Sequence, residues 1–237
     1  MDGNYIFHVH SWRCGHAENV SDEAYVRKAV SLGASSICFT DHAPFPGDPF
    51  RSRMRFEQLN EYISTLKELK IQYRESISIF IGLEIEYLPS FKSYYEDLKA
   101  MDDLDMLLLG QHHSELSPGV YTFQFENKTE EWKYLFDGQM NGLISGYFDF
   151  VAHPDRLFKK EFVWTNSMYR SSNDFILRAR EFSVPIEKNL ASIRFDMKYK
   201  DKLCKQYREE FWRLVPDDCP VITGCDAHSL FELKVCF

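Results

Sequence analysis

The chain has 237 residues, of which 44% are hydrophobic and 27% charged, and its formal net charge at pH 7 is −8. This length allows one large buried core, and the composition is that of a globular protein, which excludes a largely disordered chain. The negative charge argues against a non-specific nucleic-acid-binding protein, because such a protein needs a basic surface to displace counterions from phosphates.

The first residues and the cysteines indicate the compartment. The segment MDGNYIFHVHSW has no basic region followed by a long apolar run, and no stretch approaches the roughly 18 apolar residues of a membrane span. The six cysteines show no CxxC spacing, and a chain of this length does not need disulfides. We therefore expect a cytoplasmic protein with reduced thiols that binds no membrane. Cys14 lies two residues before His16, but a metal-bound thiol there is the less favoured interpretation.

Seven short apolar runs, rich in β-branched and aromatic residues, alternate with longer segments of helical spacing. This alternation is typical of a repeating βα fold. The runs are apolar on both faces, as buried parallel strands are. The predicted strands cover residues 4–10, 35–41, 78–87, 106–113, 148–153, 183–189 and 220–228.

The intervening segments have helical periodicity, which is clearest over 55–74, where apolar residues recur at steps of three and four. A second helix is predicted over 21–32, with Ser21 as its N-cap and Gly33 just beyond its end. The other predicted helices cover 91–101, 129–145, 171–182 and 198–214. No linker or low-complexity segment divides the chain, so the sequence predicts a single domain over 1–237.

Seven βα units that leave no buried parallel edge open predict an α/β fold of the distorted (β/α)7, TIM-like barrel type. A doubly wound open sheet is the alternative. The polar residues favour the barrel, because the candidate metal-binding residues all fall at or just past the C-terminal ends of predicted strands, where βα-barrels place their active sites. Few residues follow the last predicted strand, so we expect a short or missing final helix.

All eight histidines fall on this predicted rim and none on a predicted helix. A lone histidine at a strand end is usually structural, but independent structural roles would scatter eight of them. His8 and His10 alternate to one side of a strand and can chelate one ion, as can Asp226 and His228. Imidazole and carboxylate ligands together suit Zn²⁺, Fe²⁺ and Mn²⁺. The candidates are too many for one ion, so the pattern predicts a multinuclear metal-dependent hydrolase.

Six motifs spread over nearly the whole chain resemble those of the polymerase and histidinol phosphatase (PHP) superfamily in order and spacing. They are HVHS near the N-terminus, TDH at 40–42, GLEIEY at 82–87, GQHH at 110–113, AHPD at 152–155 and CDAH at 225–228. The segment RMRFEQLNEYISTLKELK, which leads into GLEIEYLP, most resembles the histidinol-phosphate phosphatase branch.

The resemblance implies a PHP-type barrel that holds three divalent ions of zinc, iron or manganese. The ligands that it implies are His8, His10, Glu84 and Asp226 for the first ion, Glu84 as a bridge with His113 and His153 for the second, and His16, His42 and His228 for the third. Asp41, Glu86 and His112 are left to orient ligands or to serve the structure alone.

The implied reaction is hydrolysis of a phosphate monoester, with L-histidinol phosphate giving L-histidinol and phosphate, by attack of a metal-bridging hydroxide. Glu84 and Asp226 would take part through the metals. Arg156 and Arg194 would neutralise the phosphoryl oxygens, while Lys159 and Arg13 are weaker candidates that fit solvated or ion-paired roles better.

Three other functions stay open. The loop AHPDRLFKK matches the histidinol phosphatase branch only loosely, so another small phosphate ester or a phosphotyrosine is an alternative substrate. A non-catalytic metal-binding module and an amidohydrolase that cleaves a C–N bond are the alternatives from other classes. Glu187 or Glu115 would be a partner for a substrate ammonium, although a structural carboxylate is the favoured interpretation of both. The general acid and the oligomeric state are not indicated.

Overall fold

We analysed a computed structural model of the chain, in which residues 3–124, 130–200 and 204–237 are described. The strands are β1 (Tyr5–Val9), β2 (Ser36–His42), β3 (Ser78–Ile85), β4 (Met106–Leu109), β5 (Glu115–Ser117), β6 (Val120–Tyr121), β7 (Phe150–Val151), β8 (Ile186–Asn189) and β9 (Val221–Gly224). The helices are α1 (Asp22–Ser31), α2 (Leu59–Gln72), α3 (Lys92–Lys99), α4 (Glu131–Ser145), α5 (Asn166–Glu181), α6 (Leu190–Lys198) and α7 (Glu209–Trp212).

Seven strands form one sheet in the order β1-β2-β3-β4-β7-β8-β9, which is their order along the chain. The pairs β1 with β2, β2 with β3, and β7 with β8 are parallel. After β9 the backbone N–H of Cys225 donates to Phe7 and that of Ala227 to His8, and Ala227 forms a parallel bridge with Val9. The sheet therefore returns to its first strand, so the predicted TIM-like barrel is confirmed and the open-sheet alternative is excluded.

The chain divides into two compact units of discontinuous sequence. The first unit contains Met1–Ile85, Leu98–Leu108 and Thr223–Phe237, and the second contains Glu86–Asp97 and Leu109–Ile222. The single domain over 1–237 stays a prediction.

In the first unit, β1 is buried along its whole length and α2 covers the sheet with an apolar face. The buried side chains of α2 are Leu59, Tyr62, Ile63, Leu66 and Leu69, at the spacing of one helix face. Tyr62 also donates its hydroxyl to the carbonyl of Gly82 over 2.8 Å, which ties the helix to β3. Helix α1 begins where the sequence predicts, because Ser21 accepts from the N–H of Ala24.

In the second unit, α4 and α5 pack their apolar residues into a core of aromatic rings. Trp132 lies 5.3 Å from Phe158 between ring centroids, and Phe175 lies 6.4 Å from Phe211. The antiparallel hairpin of β5 and β6 lies outside the main sheet, and its two short strands give no clear alternation in the sequence.

The helix predicted over 198–214 is wrong. A helix instead starts directly after β8, because Asn189 accepts from the N–H of Ser192 over 2.8 Å as an N-cap. Beyond it, the carboxylate of Asp196 accepts from the backbone N–H groups of Gln206 and Tyr207, which holds an irregular segment. Only α7 remains helical near the predicted end, while 201–203 lie outside the described residues.

Other differences concern the ends of elements. The helix predicted over 171–182 begins at Asn166, after Thr165 as its N-cap. Residue 129, at the predicted start of another helix, lies outside the described residues. The strands predicted over 106–113, 148–153 and 220–228 stop at Leu109, Val151 and Gly224, so the polar residues that follow lie in loops.

After β9 the helical structure is a single 3₁₀ turn over Leu230–Glu232, in agreement with the expected short final helix. Among the helices of the described residues, none has the length and apolar character needed to cross a membrane.

Candidate metal centre

The first unit brings seven predicted site residues to the C-terminal ends of its strands. They are His8, His10, His16, His42, Glu84, Asp226 and His228. Four groups of three side chains, drawn from these residues and Cys14, have ligand atoms within 4.8 Å of one another. The convergence follows from parallel strands, whose carboxyl ends meet at one edge of the sheet.

Two of these residues have an unusual backbone. His8 has a φ of 68° and Asp226 a φ of 45°, in the left-handed region that residues with a side chain rarely adopt. The β1–β2 register also shifts between Ile6 and Val9, around His8. Such a bulge redirects side chains at the end of a strand. Strict alternation along β1, which the sequence argument assumed, is therefore not what brings His8 and His10 together.

The carboxylates of Glu84 and Asp226 lie among the imidazoles. Nε2 of His8 is 3.4 Å from Oε2 of Glu84, and Nε2 of His10 is 3.2 Å from Oδ1 of Asp226. Nδ1 of His42 is 3.0 Å from the same Glu84 oxygen. One carboxylate oxygen thus lies beside several ring nitrogens, as in sites where a carboxylate and imidazoles share metal ions.

A second group contains the rings of His16, His42 and His228. His16 is 5.3 Å from His42 and 4.7 Å from His228 between centroids. Nδ1 of His16 lies 3.1 Å from the carbonyl of Cys14, and Nδ1 of His228 lies 3.2 Å from the carbonyl of Asp226. Since a carbonyl only accepts, both Nδ1 atoms carry the hydrogen, and both Nε2 atoms keep a lone pair for a metal.

Burial and neighbouring charges shift the pKa values in this cluster. Burial disfavours the charged form of His10, but Asp226 and Asp41 outweigh it and raise the pKa of His10 to about 9. For Asp226, burial is outweighed by His8 and His10, which hold the pKa of the carboxyl well below its usual range. Burial and the charge of His10 lower the pKa of His228 to about 3.

The donor set fits divalent metal ions. Nε2 of His10 and Nε2 of His228 are buried and form no hydrogen bond with the described residues. Buried polar atoms without hydrogen bonds are costly and rare in folded proteins. A metal ion with imidazole and carboxylate ligands would remove this cost.

The second unit places His112, His113 and His153 along a cavity of about 330 Å³. His112 and His153 have centroids 5.2 Å apart, and Nδ1 of His112 lies 3.3 Å from Oε1 of Glu86. His153 has a φ of 29° and follows β7, and its N–H donates to Glu187 over 3.0 Å. This contact with Glu86 fits the orienting or structural role that the resemblance leaves to His112.

The same cavity is lined by three cations, Arg156, Lys159 and Lys160. Lys160 is paired with Glu131. Lys159 has no carboxylate of the described residues within ion-pair distance, and burial together with Arg156 lowers its pKa to about 8. The cations and imidazoles in the lining make this cavity suited to an anion. The sequence makes Lys159 a weaker candidate, and the structure places it, half-buried, in the lining of this cavity.

Arg13 does not line this cavity. Its guanidinium lies 2.8 Å from Asp22 and 2.8 Å from Glu61, and the side chain is buried within the first unit. Two carboxylates already balance the charge of Arg13. This is the ion-paired role that the sequence analysis favours for this residue.

The remaining candidates lie elsewhere in the second unit. Arg194 is on α6, half-buried, and is not one of the described residues that line the cavity. Glu187 is buried and accepts from Asn189 over 3.1 Å. Glu115 accepts from the N–H groups of Ser90 and Gly119. Both carboxylates have hydrogen-bonding partners, as their structural interpretation requires.

Two solved structures share this fold. A candidate histidinol phosphatase from Listeria monocytogenes superposes with a TM-score of 0.79 and 16% identity, covering 96% of each chain. The histidinol phosphate phosphatase from Lactococcus lactis, solved with zinc, L-histidinol and phosphate, gives a TM-score of 0.72 and 20% identity, covering 96% of this chain and 87% of that one.

Two curated relatives match parts of the sequence. The "Probable histidinol-phosphatase" of Deinococcus radiodurans is 29% identical over 170 residues, which are 65% of this chain and 62% of that protein. The histidinol-phosphatase of Bacillus subtilis is 36% identical over 91 residues, 36% of this chain and 34% of that protein. The chain thus spans less than two thirds of the length of these relatives.

The family model described as the PHP domain matches residues 7–190, which is more than half of the chain. This match starts next to the first histidine pair and covers the strands that carry most of the site. The chain therefore belongs to the PHP domain family.

Proposed function

We propose that the chain is a metal-dependent phosphomonoesterase that hydrolyses L-histidinol phosphate to L-histidinol and phosphate. The observation that carries the proposal is the cluster of imidazoles and carboxylates in the first unit, where Nε2 of His10 and Nε2 of His228 form no hydrogen bond with the described residues. Curated relatives named as histidinol-phosphatases support the substrate, as does the Lactococcus lactis structure with zinc, L-histidinol and phosphate.

The proposed centre holds three divalent ions of zinc, iron or manganese. The proposed ligands are His8, His10, Glu84 and Asp226 for one ion, His16, His42 and His228 for another, and His113 and His153 for a third. Bound ions would supply Lewis acidity at the phosphoryl oxygens and lower the pKa of an attacking water. The carboxylates of Glu84 and Asp226 would offset the positive charge of such ions and, with the imidazoles, would fix their positions.

The cavity of the second unit is the proposed phosphate-binding surface. Arg156 offers a planar set of donors that matches phosphate oxygens, and Lys159 adds a compact charge with no carboxylate of the described residues in ion-pair range. Both would stabilise the charge that grows on the phosphoryl group as the ester bond breaks. Arg194 is proposed for the same role, in the middle of α6.

We further propose a cytoplasmic location and a small-molecule substrate. The six cysteines, all among the described residues, form no disulfide, and five of them are buried, which fits a reducing compartment. The net charge of −8 favours a small ester over a nucleic acid, because a polyanion would be repelled from most of the surface.

The experiment is to purify the chain, measure its bound metals, and compare phosphate release from histidinol phosphate with that from sugar, nucleotide and tyrosine phosphates. His8→Ala, His153→Ala and Asp226→Ala should each lower metal content and reduce kcat/KM by at least about a hundredfold, since each removes a proposed ligand. Asp102→Ala, at an exposed position before β4, serves as the control and should leave both unchanged.

Two results would contradict the proposal at different levels. If another phosphate ester is hydrolysed with a clearly higher kcat/KM, the substrate is wrong while the phosphomonoesterase class survives. If the three ligand variants keep full metal content and full activity, the metal centre itself is wrong.

A further inference from the structure

A chain of buried polar groups leads from Arg13 to the ring of His10, entirely within the first unit. Arg13 is 4% exposed and donates from Nη1 to Oγ of Ser11 over 3.1 Å. Ser11 is fully buried and donates its hydroxyl to Oδ2 of Asp41. The other oxygen of Asp41 lies 3.5 Å from Nδ1 of His10. The four side chains therefore connect a buried guanidinium to a proposed metal ligand.

The two hydrogen bonds that link Arg13, Ser11 and Asp41 run in the same direction, from the guanidinium toward the carboxylate. A guanidinium only donates, so Oγ of Ser11 accepts from Arg13 and its own hydrogen is left for Asp41. That hydrogen bond holds the Asp41 carboxylate in one orientation. The backbone N–H of His42 donates to Oδ1 over 2.9 Å and holds it further. Asp41 is thus kept as a fixed negative charge beside Nδ1 of His10.

This charge affects the far side of the His10 ring. A carboxylate beside Nδ1 favours a hydrogen on that atom, which leaves the lone pair of the neutral imidazole on Nε2. Nε2 is the nitrogen that lies 3.2 Å from Asp226 and 3.6 Å from Glu84. The lone pair thus points toward the two proposed carboxylate ligands.

Arg13 is itself held in place from several sides. Its guanidinium lies 2.8 Å from Asp22 and 2.8 Å from Glu61, and it packs 4.9 Å from the ring centroid of Trp12 and 5.5 Å from that of Tyr62. These contacts leave it little freedom to leave Ser11. The guanidinium of Arg13 is therefore held in place, as is the carboxylate of Asp41.

We propose that Ser11 and Arg13 are positioning residues that act through Asp41 to orient His10 and set its tautomer for metal binding. The inference rests on the proposed function, because it takes His10 as a metal ligand. It adds two residues that are not proposed as metal ligands, and it gives the buried Arg13 a role beyond its ion pairs.

The test measures zinc affinity by competition with a chromophoric chelator, together with the number of zinc ions per chain. The first variants are Ser11→Ala, Asp41→Asn and the double variant that combines these two changes. Two conservative variants are added. Ser11→Thr keeps the hydroxyl, and Arg13→Lys keeps the charge but loses the planar set of donors. Ser172→Ala is the matched control, since Ser172 is a buried serine of α5. Thermal unfolding of each metal-free variant reports whether it folds.

We expect Ser11→Ala to weaken the tightest zinc site about tenfold, as loss of a group that orients a ligand does. Ser11→Thr and Ser172→Ala should bind zinc as the unaltered chain does. The double variant should bind no more weakly than Asp41→Asn alone, because both changes break the same chain of contacts. A general loss of stability would not produce this non-additive pattern.

Unaltered zinc affinity in Ser11→Ala, or additive losses in the double variant, would overturn the inference. If Ser11→Ala does not fold, Arg13→Lys provides the same test, with weakened zinc binding expected and unchanged binding as the contrary result. An unaltered chain that binds zinc and hydrolyses histidinol phosphate would leave the proposed function standing in either case. An unaltered chain that binds no zinc would remove both.

Discussion

Nε2 of His10 lies 3.2 Å from Oδ1 of Asp226, and both side chains are buried. In the metal-free chain this is an ion pair, because the pKa of His10 is raised to about 9 and that of Asp226 is held well below its usual range. A metal ion bound by both residues has to displace the proton of His10. Metal binding and proton release are therefore linked.

Zinc affinity should consequently depend on pH. Below about 9 the metal-free chain holds a proton on His10 that zinc has to displace, so affinity falls as pH falls, by about tenfold per pH unit for this one group. Above that pH the contribution of His10 levels off. Calorimetric titration with zinc in buffers of different ionisation enthalpy would measure the protons released. Zinc affinity that is constant between about pH 6.5 and 8.5 would contradict the ion pair.

Lys159→Met should weaken the binding of phosphate. The lysine lines the cavity beside Arg156, so its loss removes one charge-assisted hydrogen bond and should raise the inhibition constant of inorganic phosphate about tenfold or more. Lys28→Met, at an exposed position of α1, is the matched control. Equal inhibition of both variants by phosphate would show that the anion binds elsewhere.

Asp155→Asn should stabilise the chain near neutral pH. Burial raises the pKa of Asp155 to about 6, against the hydrogen bonds from Arg208 and Trp212. Because the folded pKa lies above the unfolded value of about 4, the free energy of unfolding decreases as pH rises from about 4 to about 6 and stays lower above it. The amide removes this cost, which is at most about 3 kcal/mol, and keeps an oxygen for both donors.

Urea unfolding at several pH values would measure this effect as the difference between Asp155→Asn and the unaltered chain. The difference should grow between about pH 4 and pH 6 and then stay constant. A variant that is less stable than the unaltered chain at all pH values would show that the carboxylate hydrogen bonds outweigh the burial of its charge.

Gly138→Ala should destabilise the second unit although alanine favours helices by about 1 kcal/mol. A Cβ at Gly138 would clash with Nε2 of Gln111 and would lie 2.5 Å from Oγ of Ser114. Gln111 donates to the carbonyls of His113 and Tyr87, so moving it disturbs the loop that carries His113. The unfolding temperature and the metal content of the variant should both be lower than those of the unaltered chain.

Asn141→Ala is the control for this change, because it alters an exposed position of the same helix. A Gly138→Ala chain with unchanged unfolding temperature and metal content would show that Gln111 can adapt without cost.

Much of the fold followed from the sequence because its signals are local. Runs that are apolar on both faces predict buried parallel strands, and all seven are found, although β4, β7 and β9 end earlier than predicted. Helix α1 begins after Ser21 since a serine N-cap needs only its own next residues. The helix predicted over 198–214 failed for the opposite reason, since Asp196 binds backbone groups ten and eleven residues away.

The positions of the histidines at strand ends were determined by the sequence alone, because parallel strands bring their carboxyl ends to one edge whatever the details of packing. Only the tertiary structure decided how each side chain is used. The left-handed backbone of His8 and Asp226, the ion pairs of Arg13, and the burial of Lys159 all depend on partners distant in sequence. Distances and desolvation come from such partners, and no pattern along one chain segment contains them.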